Sequence, residues 1–211
     1  MSFFTNKWEG KEYLENICFH YIEFYVGNAK QASYYYIKAF GFESYAYSGP
    51  ETGDKEKVSY VIKKNKIYFI FTTPLKSNHI VTEWLTKHGD GVYDIAFKVD
   101  SVENAYNGCI KRGARQINNG IDIVEDQNGK YIKASIRSYG DCIHSFINDE
   151  DYQTWAPGFE MSKSIKESNN TQLLLIDHIV ANVELDKMDF WKEYYENIFG
   201  FMTFVRFDER D

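Results

Sequence analysis

The sequence predicts an α+β protein built from paired βαβββ modules, with an incomplete third copy of the module at its C-terminal end. Two observations support this prediction. An alternating stretch, an amphipathic helix and a glycine recur three times along the 211 residues. Strand-like stretches separated by turn residues follow the first two helices, whereas a single one follows the third. A unit that repeats at a regular interval indicates architecture more strongly than any single motif does.

The first copy begins with an alternating stretch at residues 19–26, which is typical of a strand. Asn28 and Gln31 form a capping-box pattern that predicts a helix start, and Gly41 suits the left-handed position that ends a helix. The predicted apolar stripe of this helix consists of Ala32, Tyr35, Tyr36, Ala39 and Phe40. Three further strands are predicted at residues 42–47, 57–63 and 66–73.

The second copy repeats this order after a short predicted helix at residues 81–87. A strand is predicted at residues 93–99, and Ser101 is placed to cap the helix that follows. Gly113 closes that helix. The remaining strands are predicted at residues 115–118, 121–126, 131–138 and 142–147.

The third copy is centred on a predicted strand, Ile176–Asn182, followed by a helix at residues 187–199 that Gly200 closes. His178 lies 178 − 20 = 158 residues after His20, and Gly200 lies 200 − 41 = 159 residues after Gly41. The two copies therefore match with one extra residue in the later one. One strand is predicted after the helix, at residues 201–207. We expect the chain to stop inside a domain, because so few strands cannot bury a sheet face.

The repeat predicts four regions along the chain. A polar stretch that contains Pro157 and Gly158 has the composition of a linker. The predicted regions are a tail at 1–16, a domain of two modules at 17–150, the linker at 151–170 and the start of a second domain at 171–211.

Composition excludes several classes of protein. The net charge is −7 and there is no basic run, which argues against nucleic acid as a partner. No apolar run approaches the roughly 20 residues that a membrane span needs, and no signal peptide is evident, so neither a membrane protein nor a secreted one is expected. Cys18, Cys109 and Cys142 are widely spaced without a CxxC pair, which indicates a reducing compartment. The expected location is the cytoplasm.

His178 is the strongest candidate for chemistry. Alternation places it on one strand face with Val180, Asn182 and Glu184, a mixed face that suits a wet cavity. His20 shares its predicted face with Ile22, Phe24 and Val26, as a packed histidine would. A structural role stays open for His178, and it is the preferred one for His144 and Asp94.

Four runs of this sequence resemble the 4-hydroxyphenylpyruvate dioxygenase family. They are residues 19–32, 87–97, 139–141 and 176–182. The resemblance implies the vicinal oxygen chelate fold, which agrees with the repeat. It also implies a non-catalytic N-terminal domain and a C-terminal domain that binds Fe(II) through two histidines and a glutamate, a facial triad with open positions.

Carried over residue by residue, the resemblance makes His178 the first of the two iron-binding histidines and places Asn182 near the substrate. The other two ligands are expected beyond Asp211, so no catalytic residue is assigned and the chain alone is expected to be inactive. Ala181 departs from the glycine that the family commonly has. The implied reaction converts 4-hydroxyphenylpyruvate and O₂ to homogentisate and CO₂ in tyrosine and phenylalanine catabolism.

Two alternatives stay open. One is a sister 2-oxo-acid dioxygenase resembling hydroxymandelate synthase, which hydroxylates the benzylic carbon of the same substrate. The other is a non-enzymatic binding or assembly module, in which residues 171–211 pair with another chain. The sequence leaves homo-oligomerisation open as well.

Overall fold

The computed structural model describes Leu14, residues 16–163 and residues 171–205. The predicted tail and the far end of the third copy therefore lie mostly outside the described residues. None of the helices in the described part of the chain is long and apolar enough to cross a bilayer.

The first module has the predicted order of one strand, one helix and three strands. Asn28 caps the helix, because its side chain accepts a hydrogen bond from the backbone N–H of Gln31. Gly41 ends the helix in the left-handed conformation, with φ of 69°. The elements are β1 Cys18–Tyr25, α1 Ala29–Phe40, β2 Glu43–Ser48, β3 Lys57–Lys64 and β4 Ile67–Pro74.

The second module repeats the first, after the connecting helix α2 at Ile80–His88. Ser101 caps its helix as predicted, by accepting a hydrogen bond from the N–H of Asn104. The two strands predicted at residues 115–118 and 121–126 form one long strand with an irregularity in its pairing. The elements are β5 Gly91–Lys98, α3 Val102–Lys111, β6 Gln116–Asp126, β7 Gly129–Arg137 and β8 Ile143–Asn148.

All the strands of the described residues belong to one sheet in the order β6-β7-β8-β5-β1-β4-β3-β2-β9, where β9 is Glu160–Met161. Within each module the first strand runs parallel to the last, β1 beside β4 and β5 beside β8. The modules join where β1 and β5 pair antiparallel. This topology confirms the predicted pair of βαβββ modules.

The sheet has two differently packed faces. Both module helices lie on one face, where α1 covers a cluster around Phe42 and Phe71 and α3 covers another around Phe97 and Phe146. We call the opposite side the inner face. Its buried residues are Tyr21, Ala46, Val61, Ile70, Ala96, Tyr131 and Ile147, with Tyr152 and Trp155 packed against them.

Part of the predicted linker packs on the first domain. Trp155 is only 6% exposed, and its ring lies 5.0 Å from that of Tyr68. Tyr152 is also buried, and β9 pairs with β2. The chain therefore contributes to the first domain as far as Met161, while the four predicted regions themselves stay predictions.

The predicted apolar stripe of α1 is partly wrong, because the buried face of the helix is rotated relative to it. Tyr35 is 58% exposed and Ala39 is also exposed, whereas Ala29 and Ser33 are buried. Ser33 tolerates burial because its hydroxyl donates to the carbonyl of Lys30 at 3.0 Å. A stripe predicted from apolar residues alone therefore leaves Ser33 out of the buried face of α1.

As far as residues 171–205 show, the third copy has its helix but no strand. The helix α4, Met188–Tyr194, continues into a π-helical turn at Tyr195–Phe199, and Gly200 ends it with φ of 73°. The strand predicted at Ile176–Asn182 is wrong, because residues 171–187 pair with no strand of the described chain. Residues 201–205 are not a strand either, and residues 206–207 lie outside the described range.

Candidate functional site

His178 lies in the extended segment that precedes α4, and its side chain is 74% exposed. Its Nδ1 is 2.8 Å from Oδ2 of Asp177. Because a carboxylate accepts hydrogen bonds, Nδ1 carries the proton in the neutral ring and the lone pair lies on Nε2. A histidine fixed by a carboxylate in this way can offer Nε2 to a metal ion.

His178 lines a cavity of about 1010 Å³ between the extended segment and the first domain. Phe19 and Phe97 form part of the wall on the first domain, and Phe201 closes it from the third copy. Most of the wall is apolar or aromatic. The polar side chains on it are Cys18, Lys66, Tyr139, His144, Asp177, His178 and Tyr195.

His144 has the structural role that its position in the sequence favours, with both ring nitrogens hydrogen-bonded. Its Nδ1 lies 3.2 Å from the carbonyl oxygen of Ile95, and its Nε2 lies 2.8 Å from the hydroxyl of Tyr195. Nδ1 therefore donates and Nε2 accepts. Burial lowers the pKa of His144 to about 4. The hydrogen bond to Tyr195 attaches the third copy to the first domain.

Asn182 is exposed and does not line the cavity. Regular alternation of side chains needs a strand, and the segment around Asn182 has no strand partner to impose it. The described structure therefore does not bring Asn182 and His178 to one wall, and the assigned role of Asn182 stays a prediction.

The residues described do not assemble a complete metal site. No group of three or more His, Cys, Asp or Glu side chains within residues 16–163 and 171–205 is placed to hold a metal ion. His178 has a free ring nitrogen, but it belongs to no group of three such side chains among the described residues. These residues alone therefore do not fit Fe(II), which the facial triad would bind with three ligands.

His20 is packed as predicted, but the predicted face is wrong. Phe19 pairs with Phe97 and Tyr21 pairs with Ala96, so His20 is the extra residue of a β-bulge. The bulge turns His20 onto the inner face, where its ring lies 5.2 Å from that of Trp155. Its Nε2 is 2.8 Å from Oδ2 of Asp149.

Asp94 is completely buried on the inner face, in a polar network that sequence reasoning missed. The ammonium group of Lys133 lies 2.7 Å from the Tyr21 hydroxyl and 3.3 Å from Oδ2 of Asp94. Alternation along β7 places Lys133 on the same strand face as Tyr131 and Ser135, and such a polar pattern normally indicates a face exposed to solvent. The ion pair between Lys133 and Asp94 could not be predicted from that pattern, because the inner face of the second module contains polar side chains that are buried.

No protein-family model matches the chain. It is 36% identical to a 4-hydroxyphenylpyruvate dioxygenase from Coccidioides posadasii over 92% of this chain and 53% of that protein. A 4-hydroxyphenylpyruvate dioxygenase from Dictyostelium discoideum is 38% identical over 91% of this chain and 54% of its own length. The chain thus spans about half the length of the curated relatives it matches.

A solved structure confirms the fold. A mutant 4-hydroxymandelate synthase from Streptomyces coelicolor superposes with a TM-score of 0.73 at 22% identity, covering 86% of this chain and 52% of that one. The fold is the vicinal oxygen chelate fold that the family resemblance implies.

Proposed function

We propose that this chain provides the non-catalytic first domain and the first iron ligand, His178, of a 4-hydroxyphenylpyruvate dioxygenase. The single observation that carries the proposal is the similarity to such enzymes over nine-tenths of the chain, at 36% identity for the Coccidioides protein. The proposed overall reaction is the Fe(II)-dependent oxidative decarboxylation and ring hydroxylation of 4-hydroxyphenylpyruvate by O₂, giving homogentisate.

The geometry of His178 supports its part in the proposal. Asp177 accepts a hydrogen bond from Nδ1 at 2.8 Å, and this leaves Nε2 free for a metal. Outer carboxylates of this kind fix the ring and make the ligating nitrogen more basic. His178 also lines the 1010 Å³ cavity, which has room for an aromatic substrate.

We propose that the second histidine and the glutamate belong to the half of the relatives that this chain does not span. One imidazole binds Fe(II) weakly, so the 211 residues by themselves should neither hold iron tightly nor make homogentisate. An anaerobic Fe(II) titration of the chain tests this point. Tight one-to-one binding would overturn the claim that the ligand set is incomplete.

A chimera tests the assigned role of His178. In it, residues 17–205 replace the matching half of the Coccidioides relative. We expect a folded chimera to bind one Fe(II) and to release homogentisate with consumption of O₂. The variant His178→Ala should lose both iron and turnover.

The matched control is His79→Asn in the same chimera. His79 lies at the start of α2 and accepts a hydrogen bond from the N–H of Val81, a role that asparagine can also fill. This variant should keep iron and turnover. A folded chimera that binds iron equally well without His178 would refute the assignment.

The product separates the dioxygenase from its sister enzyme. The 4-hydroxymandelate synthase that superposes on this chain shares its fold. In a full-length protein that contains this chain, homogentisate would support the proposed reaction. A product hydroxylated on the benzylic carbon would replace the proposed reaction with that of the sister enzyme.

A further inference from the structure

Only one of the two oxygens of the Asp94 carboxylate, Oδ2, has hydrogen-bond partners among the described residues. Oδ2 accepts hydrogen bonds from the Tyr21 hydroxyl at 2.9 Å, from the Ser145 hydroxyl at 2.6 Å and from Lys133 at 3.3 Å. Oδ1 has no hydrogen-bond partner among the described residues, although it is buried. Asp94 itself has no exposed surface. An unpaired buried carboxylate oxygen is costly, and native structures rarely leave one without a partner.

A second carboxylate lies next to Asp94. Glu23 of β1 is the direct cross-strand partner of Asp94 in β5, so both side chains project from the inner face. Oε1 of Glu23 accepts a hydrogen bond from the Thr72 hydroxyl at 2.6 Å, and Oε2 has no hydrogen bond within the described chain. Like charges directly opposite each other destabilise a sheet.

The described residues supply one bonded cation to this pair of carboxylates. Lys133 is the cation bonded to Asp94, and it contacts the oxygen that already has two other donors. Two carboxylates therefore share one ammonium group, and the free oxygens of both are left without a donor in the described chain. Glu23 is partly exposed, so this point of the inner face is open to solvent.

We propose that the inner face binds a small hard cation between Oδ1 of Asp94 and the carboxylate of Glu23. Carboxylate oxygens are the ligands that Ca²⁺ and similar cations prefer, and water would complete the coordination shell. Two protein carboxylates make a weak site, so we expect a dissociation constant on the order of 0.1–1 mM for Ca²⁺. This site lies in the first domain and is separate from His178.

Terbium luminescence with the 211-residue chain tests the proposal, since Tb³⁺ replaces Ca²⁺ and is excited through nearby tyrosines. Tyr25 follows Glu23 on the same side of β1, and its ring stacks on that of Tyr93 at 4.0 Å. We expect saturable emission on excitation of tyrosine, displaced by Ca²⁺. Absence of saturable emission at millimolar Tb³⁺ would overturn the proposal.

Glu23→Gln is the main variant, because Asp94→Asn could unfold the domain. It should weaken Tb³⁺ binding at least tenfold while the far-ultraviolet circular dichroism stays unchanged. Glu103→Gln changes the same charge at an exposed position of α3 and should bind as the wild type does. His178→Ala should also bind normally, which separates this test from that of the iron ligand. Equal affinity in Glu23→Gln and wild type would refute the site.

Discussion

The strand β1 and the segment Ile176–Asn182 have the same position in two copies of one module, yet only β1 is a strand. β1 lies in the middle of the sheet, hydrogen-bonded to β4 on one side and to β5 on the other. Ile176–Asn182 pairs with no strand of the described chain, and Val180 within it is 79% exposed. The difference teaches that neighbouring strands, more than the local alternation of side chains, decide whether a strand forms.

The largest expected effect comes from shortening the first domain. A chain of residues 1–150 lacks Tyr152, Trp155 and β9, and losing one buried tryptophan typically costs about 3–5 kcal/mol. We expect this chain to be largely unfolded in urea titrations at 25 °C. A chain of residues 1–163 retains these contacts and should unfold cooperatively. If the two chains were equally stable, the packing of Trp155 would contribute little and the domain would end near residue 150.

Two phenylalanines test whether the third copy folds together with the first domain. Phe146 in β8 and Phe199 in the π-helical turn are both buried, with ring centres 6.0 Å apart. Phe146→Ala should lower the free energy of unfolding of the whole domain by about 3–5 kcal/mol. Phe199→Ala should instead loosen α4 first, because the buried contacts that attach the third copy are concentrated in the π-helical turn that contains Phe199.

Hydrogen exchange distinguishes these outcomes. In Phe199→Ala, the amides of residues 188–199 should exchange fast while those of β5 and β8 stay protected. Loss of protection throughout the sheet would show that the third copy and the first domain form one cooperative unit.

Lowering the pH should destabilise the folded protein through His144, whose hydrogen bond with Tyr195 attaches the third copy to the first domain. The pKa of His144 is about 4 in the folded protein, below its ordinary value of 6.5, because burial disfavours the charged ring. Between these values the unfolded chain binds the proton and the folded chain does not. Stability therefore falls as the pH drops from about 6.5 to about 4, by up to about 3 kcal/mol.

Urea titrations at several pH values measure this loss. His144→Asn should remove most of the pH-dependent part between about pH 6.5 and about pH 4, whatever its stability at neutral pH. His79→Asn is the control and should keep the slope of the wild type. An unchanged slope in His144→Asn would assign the acid sensitivity to other groups.

The elements of the two complete modules could be predicted from the sequence because each of them carries a local signal. Asn28 and Ser101 mark the helix starts, and Asn65, with φ of 51°, marks the turn between β3 and β4. The bulge at His20 could not be predicted, since it depends on how β1 pairs with β5. The ion pair between Lys133 and Asp94 joins residues on separate strands, so spacing along the chain gives no sign of it.

The candidate site was predictable only in part. The environment of His178 was predicted from alternation along a strand, and that strand is absent from the described structure. The hydrogen bond from His178 to Asp177 is local and could have been proposed from the Asp-His pair. The attachment of Tyr195 to His144 could not, because it joins the third copy to the second module.

The helix starts give the smallest expected effect and the sharpest contrast between the first and third copies. Asn28 caps α1 through its side chain, whereas Lys187, at the start of α4, makes no capping hydrogen bond. Asn28→Ala should therefore lower the free energy of unfolding by about 1 kcal/mol, while Lys187→Ala should change it by no more than about 0.3 kcal/mol. Urea titration of both variants measures the difference. Equal losses would mean that α4 begins with a cap after all, and that the third copy resembles the first module more closely than its described residues indicate.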